Sequence, residues 1–371
     1  MQKTAVVCVT NDLSTDQRVH KTCLSLYNQG YTVIEWGILK SNSLPLNRVY
    51  STKRNKLWNK NGPLFYAEFN IRLLLFLLFA RVDLIFSNDL DTLPACFLAA
   101  KIRKKRIIYD THEYFTEMPE LVNRPATQRI WQKIENFIFP KLTDIITVNH
   151  SIAKLYSEKF NKKVLVSRNI PPTYQPPIIK SRQELELPID KKIIILQGSG
   201  INIQRGAEEA VLAMEFLENV VLLIVGNGDV LPILKTMVDE KNLHKKVIFR
   251  PKMSFEDLRQ YTINSDLGLA IDKDTNLNYH FSLPNKLFDY IHAEIPVLSS
   301  KLVELVQIIE EYNIGYFIEN HEPQHIAEVV QDIFKNDKLY QIKKKNTVKA
   351  KNELCWENEE KVLLSVIEKQ Y

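Results

Sequence analysis

The sequence predicts an α/β protein of two Rossmann-like, doubly wound domains facing a cleft. Three observations carry that expectation: the chain's length, a regular alternation of β-branched runs with amphipathic stretches, and a proline-dense break near its middle. At 371 residues the chain is too long for one ordinary core and suits two domains of about 150–200 residues each. Hydrophobic content of 45% and charged content of 25% are those of a globular chain, which excludes disordered and fibrous classes.

In the first half, Thr4–Val9, Tyr31–Gly37, Asp83–Ser87, Arg106–Asp110, Asp144–Val148 and Lys163–Ser167 read as strands. Helical patterns at Gln17–Gln29, Thr92–Ile102, Arg124–Phe139 and Ile152–Phe160 lie between them. Strands alternating with helices of this length form right-handed βαβ units and a parallel sheet. Four prolines then fall within Pro171–Pro177, and proline fixes φ and removes donors, so the spacing predicts an extended connector. The alternation resumes with strands at Lys192–Gln197, Val220–Val225, Lys246–Arg250, Asp266–Ile271, Ile295–Ser299 and Ile314–Ile318. Helices are expected at Ala207–Leu217, Leu231–Asn242, Phe255–Ile263, Pro284–Ala293, Val303–Tyr312 and Pro323–Phe334, followed by a helical tail. The organisation is therefore a first domain over 1–170, a linker over 171–190, a second domain over 191–352, and a C-terminal helix over 353–371 returning to the first domain.

Cys8, Cys23, Cys96 and Cys355 are far apart, with neither a CxxC pair nor ligand spacing; buried free thiols in a reducing compartment are expected. Met1–Thr4 leads straight into a strand-like run, and the longest apolar stretch, Ile71–Ala80, is interrupted by Arg72. That stretch falls short of the ~20 residues a bilayer span needs, so a cytoplasmic protein is expected. Residues 1–180 hold 26 Lys+Arg against 14 Asp+Glu, and residues 181–371 hold 23 against 30. The basic half suits an anionic partner such as a membrane surface, and the segment Leu64–Ala80 could lie against one.

Ser282-Leu283-Pro284-Asn285-Lys286-Leu287-Phe288-Asp289-Tyr290 is the most informative stretch. Ser282 is expected to cap a helix whose first turn holds Pro284, and a helix N-terminus favours phosphate. Lys286 would add a cation there, and Asp289 stands at i+3 from it. The residues suit a nucleoside diphosphate, Lys286 on phosphate and Asp289 on ribose; the alternative is a surface ion pair between the two. A second segment, Gly198-Ser199-Gly200 to Arg205-Gly206, lies between a strand and a helix, where Arg205 can fork onto phosphate oxygens. It is not a GxxxxGK[ST] loop. Gly226-Asn227-Gly228 is another strand-to-helix turn, which reads equally as a ligand contact or an ordinary tight turn.

In the first domain His112 and Glu113 follow a strand, at the sheet's carboxyl edge. HExxH would need a second histidine where Thr116 stands, so this is no zinc protease site. Asp89 and Asp91 end another strand, with Asp91 read as a helix cap. Asp12, Asp16 and Arg18 occupy the first β–α loop at the same rim.

This order of segments resembles the retaining glycosyltransferases with the two-Rossmann-domain (GT-B) fold, family 4, of the bacterial surface-polysaccharide type. Asp16-Gln17-Arg18, Tyr109–Glu113, Gln204-Arg205-Gly206, Val225–Gly228 and above all Leu283–Tyr290 carry the likeness. The resemblance implies sugar transfer from a nucleotide-diphosphate sugar to a glycan or polyprenyl-linked acceptor, with retention. It implies His112, Arg205 and Lys286 as catalytic groups, without metal or cofactor. The donor would be bound by Gly200, Arg205, Gly226, Gly228, Ser282, Leu283, Pro284, Asn285, Lys286 and Asp289, and the acceptor side formed by Asp12, Asp16, Arg18, Asp89 and Glu113. It also implies peripheral contact of the basic first domain with an anionic membrane, and no nucleic-acid partner. Family members have two glutamates eight positions apart near this helix; here the second position is Asp289 and the first is Phe281, and the usual lysine five residues after the arginine is Ala210. A sugar-nucleotide epimerase of similar architecture and a non-catalytic sugar-nucleotide-binding homologue are the competing readings.

Overall fold

The computed structural model describes residues 2–14, 16–41, 43–173, 176 and 178–369. It divides into two compact units, Met1–Asn169 with Glu359–Tyr371, and Ile170–Asn358. Of the proline-rich connector, Tyr174, Gln175 and Pro177 lie outside the described residues.

Among the described residues the first unit holds seven strands: β1 (Thr4–Asp12), β2 (Thr32–Ile38), β3 (Ser51–Asn55), β4 (Leu84–Asn88), β5 (Arg106–Thr111), β6 (Asp144–Thr147) and β7 (Leu165–Val166). They form one sheet in the order β3-β2-β1-β4-β5-β6-β7, and every pair is parallel. Its helices are α1 (Gln17–Asn28), α2 (Gly62–Phe79), α3 (Asp89–Arg103), α4 (Pro119–Val122), α5 (Pro125–Ile138) and α6 (His150–Phe160). Residues alternate across each strand, so Val6, Cys8 and Ile85 meet Phe69, Leu73 and Leu77 of α2 and Cys96 and Ala99 of α3 in one layer. All four cysteines are buried and free.

The second unit holds β8 (Lys192–Gly198), β9 (Val220–Gly226), β10 (Val247–Pro251), β11 (Leu267–Ala270), β12 (Val297–Ser299) and β13 (Gly315–Phe317). Their order is β10-β9-β8-β11-β12-β13, again all parallel. Helices α7 (Ala207–Ala213), α8 (Leu231–Glu240), α9 (Phe255–Ile263), α10 (Leu277–His280), α11 (Lys286–His292), α12 (Val303–Tyr312), α13 (Pro323–Lys335) and α14 (Asp337–Glu353) cover it. A strand covered on both faces needs a continuous apolar run. In β8, Ile194 and Leu196 enter one core layer while Ile193 and Ile195 enter the other. The last helix, α15 (Trp356–Ile367), leaves the second unit, and from Glu359 onward the chain belongs to the first. There Glu359 pairs with Arg168 at 2.6 Å, and Ile367 O accepts from Arg106 Nη1 at 2.8 Å.

Three local expectations are corrected. The helix expected from Thr92 begins at Asp89 with Asn88 as N-cap, so Asp91 is a first-turn residue and not the cap. Its Oδ2 instead accepts from the Thr10 hydroxyl at 2.5 Å. The helix expected from Pro284 begins at Lys286, with Asn285 at its cap and no side-chain capping bond. Ser282 is therefore not its cap: the backbone N–H of Ser282 donates to Tyr279 O at 3.0 Å and closes the short α10. Strand β3 carries Ser-Thr-Lys-Arg-Asn. It has no apolar alternation because it is an edge strand, where charged side chains block further pairing.

Candidate functional site

In a doubly wound sheet, ligands bind beyond the carboxyl ends of the strands where the order reverses. In the first unit that point lies between β1 and β4, and in the second between β8 and β11.

Three side chains converge at the second switch point. Asp272, two residues past β11, is fully buried. Its carboxylate pairs with Arg205 Nη1 at 3.0 Å and with Lys286 Nζ at 2.8 Å. Burial opposes its charge, but Lys286 and then Arg205 outweigh that and hold Asp272 below the usual carboxylate range. Arg205 also stacks over the Tyr279 ring, its Cζ 4.4 Å from the centroid, which fixes the guanidinium plane. One carboxylate between two cations leaves one net positive charge, on a fork and a point charge already held in place. Such a pair is suited to an anion with oxygens on adjacent phosphates.

The loops that present these groups are joined backbone to backbone. Ile201 N–H donates to Asn227 O at 2.8 Å, Asn227 N–H to Gly198 O at 3.2 Å, and Lys273 N–H to Gln204 O at 2.9 Å. Gly226 and Gly228 make this approach attainable. A Cβ on Gly226, whose φ is 142°, would stand 1.8 Å from Gly198 O, and one on Gly228 1.9 Å from Ile201 O. Both glycines thus seat the β8 loop. A Cβ on Gly200 would meet the Asn202 side chain at an ordinary 3.6 Å.

Asp289 points elsewhere: Gln197 Nε2 donates to its Oδ2 at 3.0 Å, and Thr262 Oγ1 donates to Gln197 Oε1 at 2.7 Å. The local ion pair between Lys286 and Asp289 considered from spacing is replaced by Lys286–Asp272. Leu283 and Pro284 form the half-buried approach to α11, with Asn285 exposed. Pro284 O accepts from Leu287 N–H at 3.1 Å, and Asn285 O from Phe288 N–H at 3.0 Å. Phe281 meets His280 edge-on at 4.5 Å, and His280 Nδ1 lies 2.7 Å from Asp274. Position 281 has no carboxylate, yet Asp274 brings one to the adjoining histidine.

The first switch point carries a charged network. Arg18 is buried and grips Asp110 with two bonds, Nε to Oδ2 at 2.9 Å and Nη2 to Oδ1 at 2.6 Å. His112 stands 3.2 Å from Asp89 through Nδ1 and 3.5 Å from Asp110 through Nε2. Its backbone N–H donates to Asp89 at 2.7 Å. Burial works against an imidazolium, but Asp89 and then Asp110 raise His112 to about 9. Burial also opposes Asp110, whose carboxyl Arg18 and then His112 hold down at about 2. Burial first and the nearby Asp89 second lift Asp91 to about 7. Asp16 caps α1, accepting from Val19 N–H at 3.0 Å. Asp12 lies 3.5 Å from Arg54, and Glu113 is exposed. The structure thus joins Arg18, Asp89 and His112, while Asp12, Asp16 and Glu113 have separate tasks. Among the described residues, no three His, Cys, Asp or Glu side chains cluster as metal ligands.

Residues 178–350, nearly all of the second unit, match the model of the family described as Glycosyl transferases group 1. The whole chain also superposes on solved GT-B enzymes. The chain has the GT-B fold, and its second unit is a glycosyltransferase domain. Sucrose-phosphate synthase from Thermosynechococcus elongatus is similar at a TM-score of 0.79 and 15% identity, covering 99% of this chain and 98% of that one. HepE of Anabaena, solved with UDP and glucose, gives 0.75 and 14%, with 99% and 100% covered. WaaG, a glycosyltransferase involved in lipopolysaccharide biosynthesis, gives 0.70 and 14%, with 98% and 100% covered. A sequence comparison with curated proteins finds no match. At these identities the solved structures establish the fold alone, and the family match gives the class of the second unit. That match favours transfer over the epimerase and non-catalytic readings.

Sequence reasoning missed Asp272. It lies in Ala-Ile-Asp-Lys-Asp with no flanking glycine or proline. The available signal was position: a carboxylate two residues beyond the strand that neighbours β8.

Proposed function

We propose that the enzyme transfers a sugar from a nucleotide-diphosphate sugar to a glycan or polyprenyl-linked acceptor with retention, in the cytoplasm, in cell-surface polysaccharide biosynthesis. The observation that carries this reading is the convergence of Arg205 and Lys286 on Asp272 at the switch point of the matched unit. HepE's complexes with UDP-glucose and with UDP support a nucleoside diphosphate as the group recognised.

In the reaction the bond from the anomeric carbon to the diphosphate oxygen breaks, and the nucleoside diphosphate departs with the electron pair. The acceptor hydroxyl oxygen bonds to the anomeric carbon on the same face, and its proton passes to an oxygen of the departing diphosphate. Arg205 and Lys286 stabilise the charge growing on the leaving oxygen. Groups already held in place act without reorganisation, which makes this term large. Asp272 holds the cations in register before the donor arrives. His112, fixed by Asp89 and Asp110, orients sugar or acceptor hydroxyls. Asp289 takes the ribose hydroxyls, exchanging its bond to Gln197. Charge neutralisation in this reading rests on the two cations and assigns no metal or cofactor.

Arg205→Ala and Lys286→Ala should each weaken nucleotide-diphosphate-sugar binding about tenfold or more, as expected for loss of a charge-assisted contact. Calorimetry on folded variants measures this, and unchanged affinity in both would remove the donor site from this position.

A further inference from the structure

Asp91 stands in the first turn of α3 and is 7% exposed, yet only one of its carboxylate oxygens is used. Oδ2 accepts from the hydroxyl of Thr10, near the carboxyl end of β1. Oδ1 is buried and, among the described residues, has no hydrogen-bond partner. A buried carboxylate oxygen without a donor is costly, and it calls for a group that supplies the missing hydrogen.

Asn70 of α2 fixes this corner of the switch point. Its Nδ2 donates to Asp91 O at 2.8 Å and to Tyr66 O at 2.9 Å, and its Oδ1 accepts from Ala95 N–H at 3.1 Å. Tyr66 is half-buried; burial and then Asp91 push its phenol up to about 12. Its ring meets Trp131 of α5 edge-on at 5.2 Å, and Trp131 meets Phe115 at 5.4 Å. Thr116 follows, and its Oγ1 is likewise buried without a partner among the described residues. One side of the corner is thus aromatic, and the unsatisfied atoms beside it are oxygens that bond hydroxyls.

Charge narrows what can enter. Arg18 is committed to Asp110, and His112 to Asp89 and Asp110. With Asp91 ionised, three carboxylates face two cations, so a phosphate meets repulsion and brings Oδ1 no donor. A hydroxyl brings a donor and no charge. We infer that Asp91 Oδ1 receives a hydroxyl of a neutral sugar ring, the accepting end of the acceptor, and that this corner excludes a phosphate group. The inference rests on the transfer reading and narrows its acceptor: the enzyme extends a sugar already in place and does not load a bare polyprenyl phosphate. An earlier sugar transfer must then supply its substrate.

The test is saturation-transfer NMR of the full chain with methyl glycosides of glucose, mannose, galactose and N-acetylglucosamine, and with glucose 6-phosphate and mannose 6-phosphate. At least one neutral glycoside should bind, and both sugar phosphates should bind about tenfold more weakly or worse. Asp91→Ala should weaken the glycoside about tenfold or more, as for loss of a charge-assisted bond. Asp91→Asn keeps an accepting oxygen and should restore most of that binding, which a purely structural role would not predict. Calorimetry with UDP-, GDP-, ADP- and CMP-linked sugars on the same preparations should find donor binding unchanged in both variants, showing that they are folded. No neutral glycoside bound, sugar phosphates bound as tightly as glycosides, or equal glycoside affinity in wild type and Asp91→Ala would each overturn the inference. The last result would leave Oδ1 to a structural water. Failure of the wild type to bind any nucleotide sugar would instead strike the transfer reading, so the two failures are told apart.

Discussion

At the scale of single residues, the two switch points treat charge in opposite ways. Asp272 is one carboxylate serving two cations; His112 is one cation serving two carboxylates. The second arrangement has a pH signature. His112 is raised to about 9 in the folded chain, against about 6.5 when unfolded. A raised pKa contributes stability that is complete below about 6.5 and lost as pH rises through about 9. Asp110, depressed to about 2, contributes stability that is present above about 3.9 and lost as pH falls through about 2. Proton NMR of the His112 imidazole should give a midpoint near 9, and His112→Ala should reduce transfer more than nucleotide binding. A midpoint near 6.5 with equal losses in both activities would leave His112 a role in folding alone. His112, Arg205 and Lys286 were legible because each follows a recognisable strand or opens a helix. Asp272 was not, since its partners lie 67 and 14 positions away and no local spacing records that.

At the scale of elements, the α/β alternation was legible wherever strands are covered, because such strands must be β-branched or apolar runs; the charged edge strand β3 was not. What escaped was local geometry set by tertiary contacts. Asp91 has the chemistry of a cap but is used by Thr10, and Ser282 is displaced by the four-residue α10 that precedes it. Gly226-Asn227-Gly228 read equally as a ligand turn or a tight turn; the structure gives its glycines a mechanical duty. Gly226→Ala would set a Cβ against Gly198 O at a backbone φ open to glycine. The second unit should lose roughly 2–4 kcal/mol, read as an earlier urea transition, with donor binding weakened because the β8 loop carries Arg205. A variant as stable as wild type would show that the loops are not interlocked in this way.

At the scale of the whole molecule, two parallel sheets with reversing strand order each bring a charged cluster to the switch point, and the units differ in what they present. The second, matched to a glycosyltransferase family over residues 178–350, presents a net positive pair of cations; the first presents a hydrogen-bonding network and a basic, partly apolar outer face. The uneven charge between halves was plain in the sequence, whereas which side of α2 is exposed was not, because buried and exposed leucines are indistinguishable without a fold. The central claim is that the enzyme uses a nucleotide-diphosphate sugar through Arg205 and Lys286. The most direct measurement titrates UDP-, GDP-, ADP- and CMP-linked sugars into wild type and into the Arg205→Ala/Lys286→Ala double variant by calorimetry. The account predicts that one diphosphate-linked class binds wild type and that the double variant loses it. Binding to none of them, or equal binding to both proteins, would contradict it.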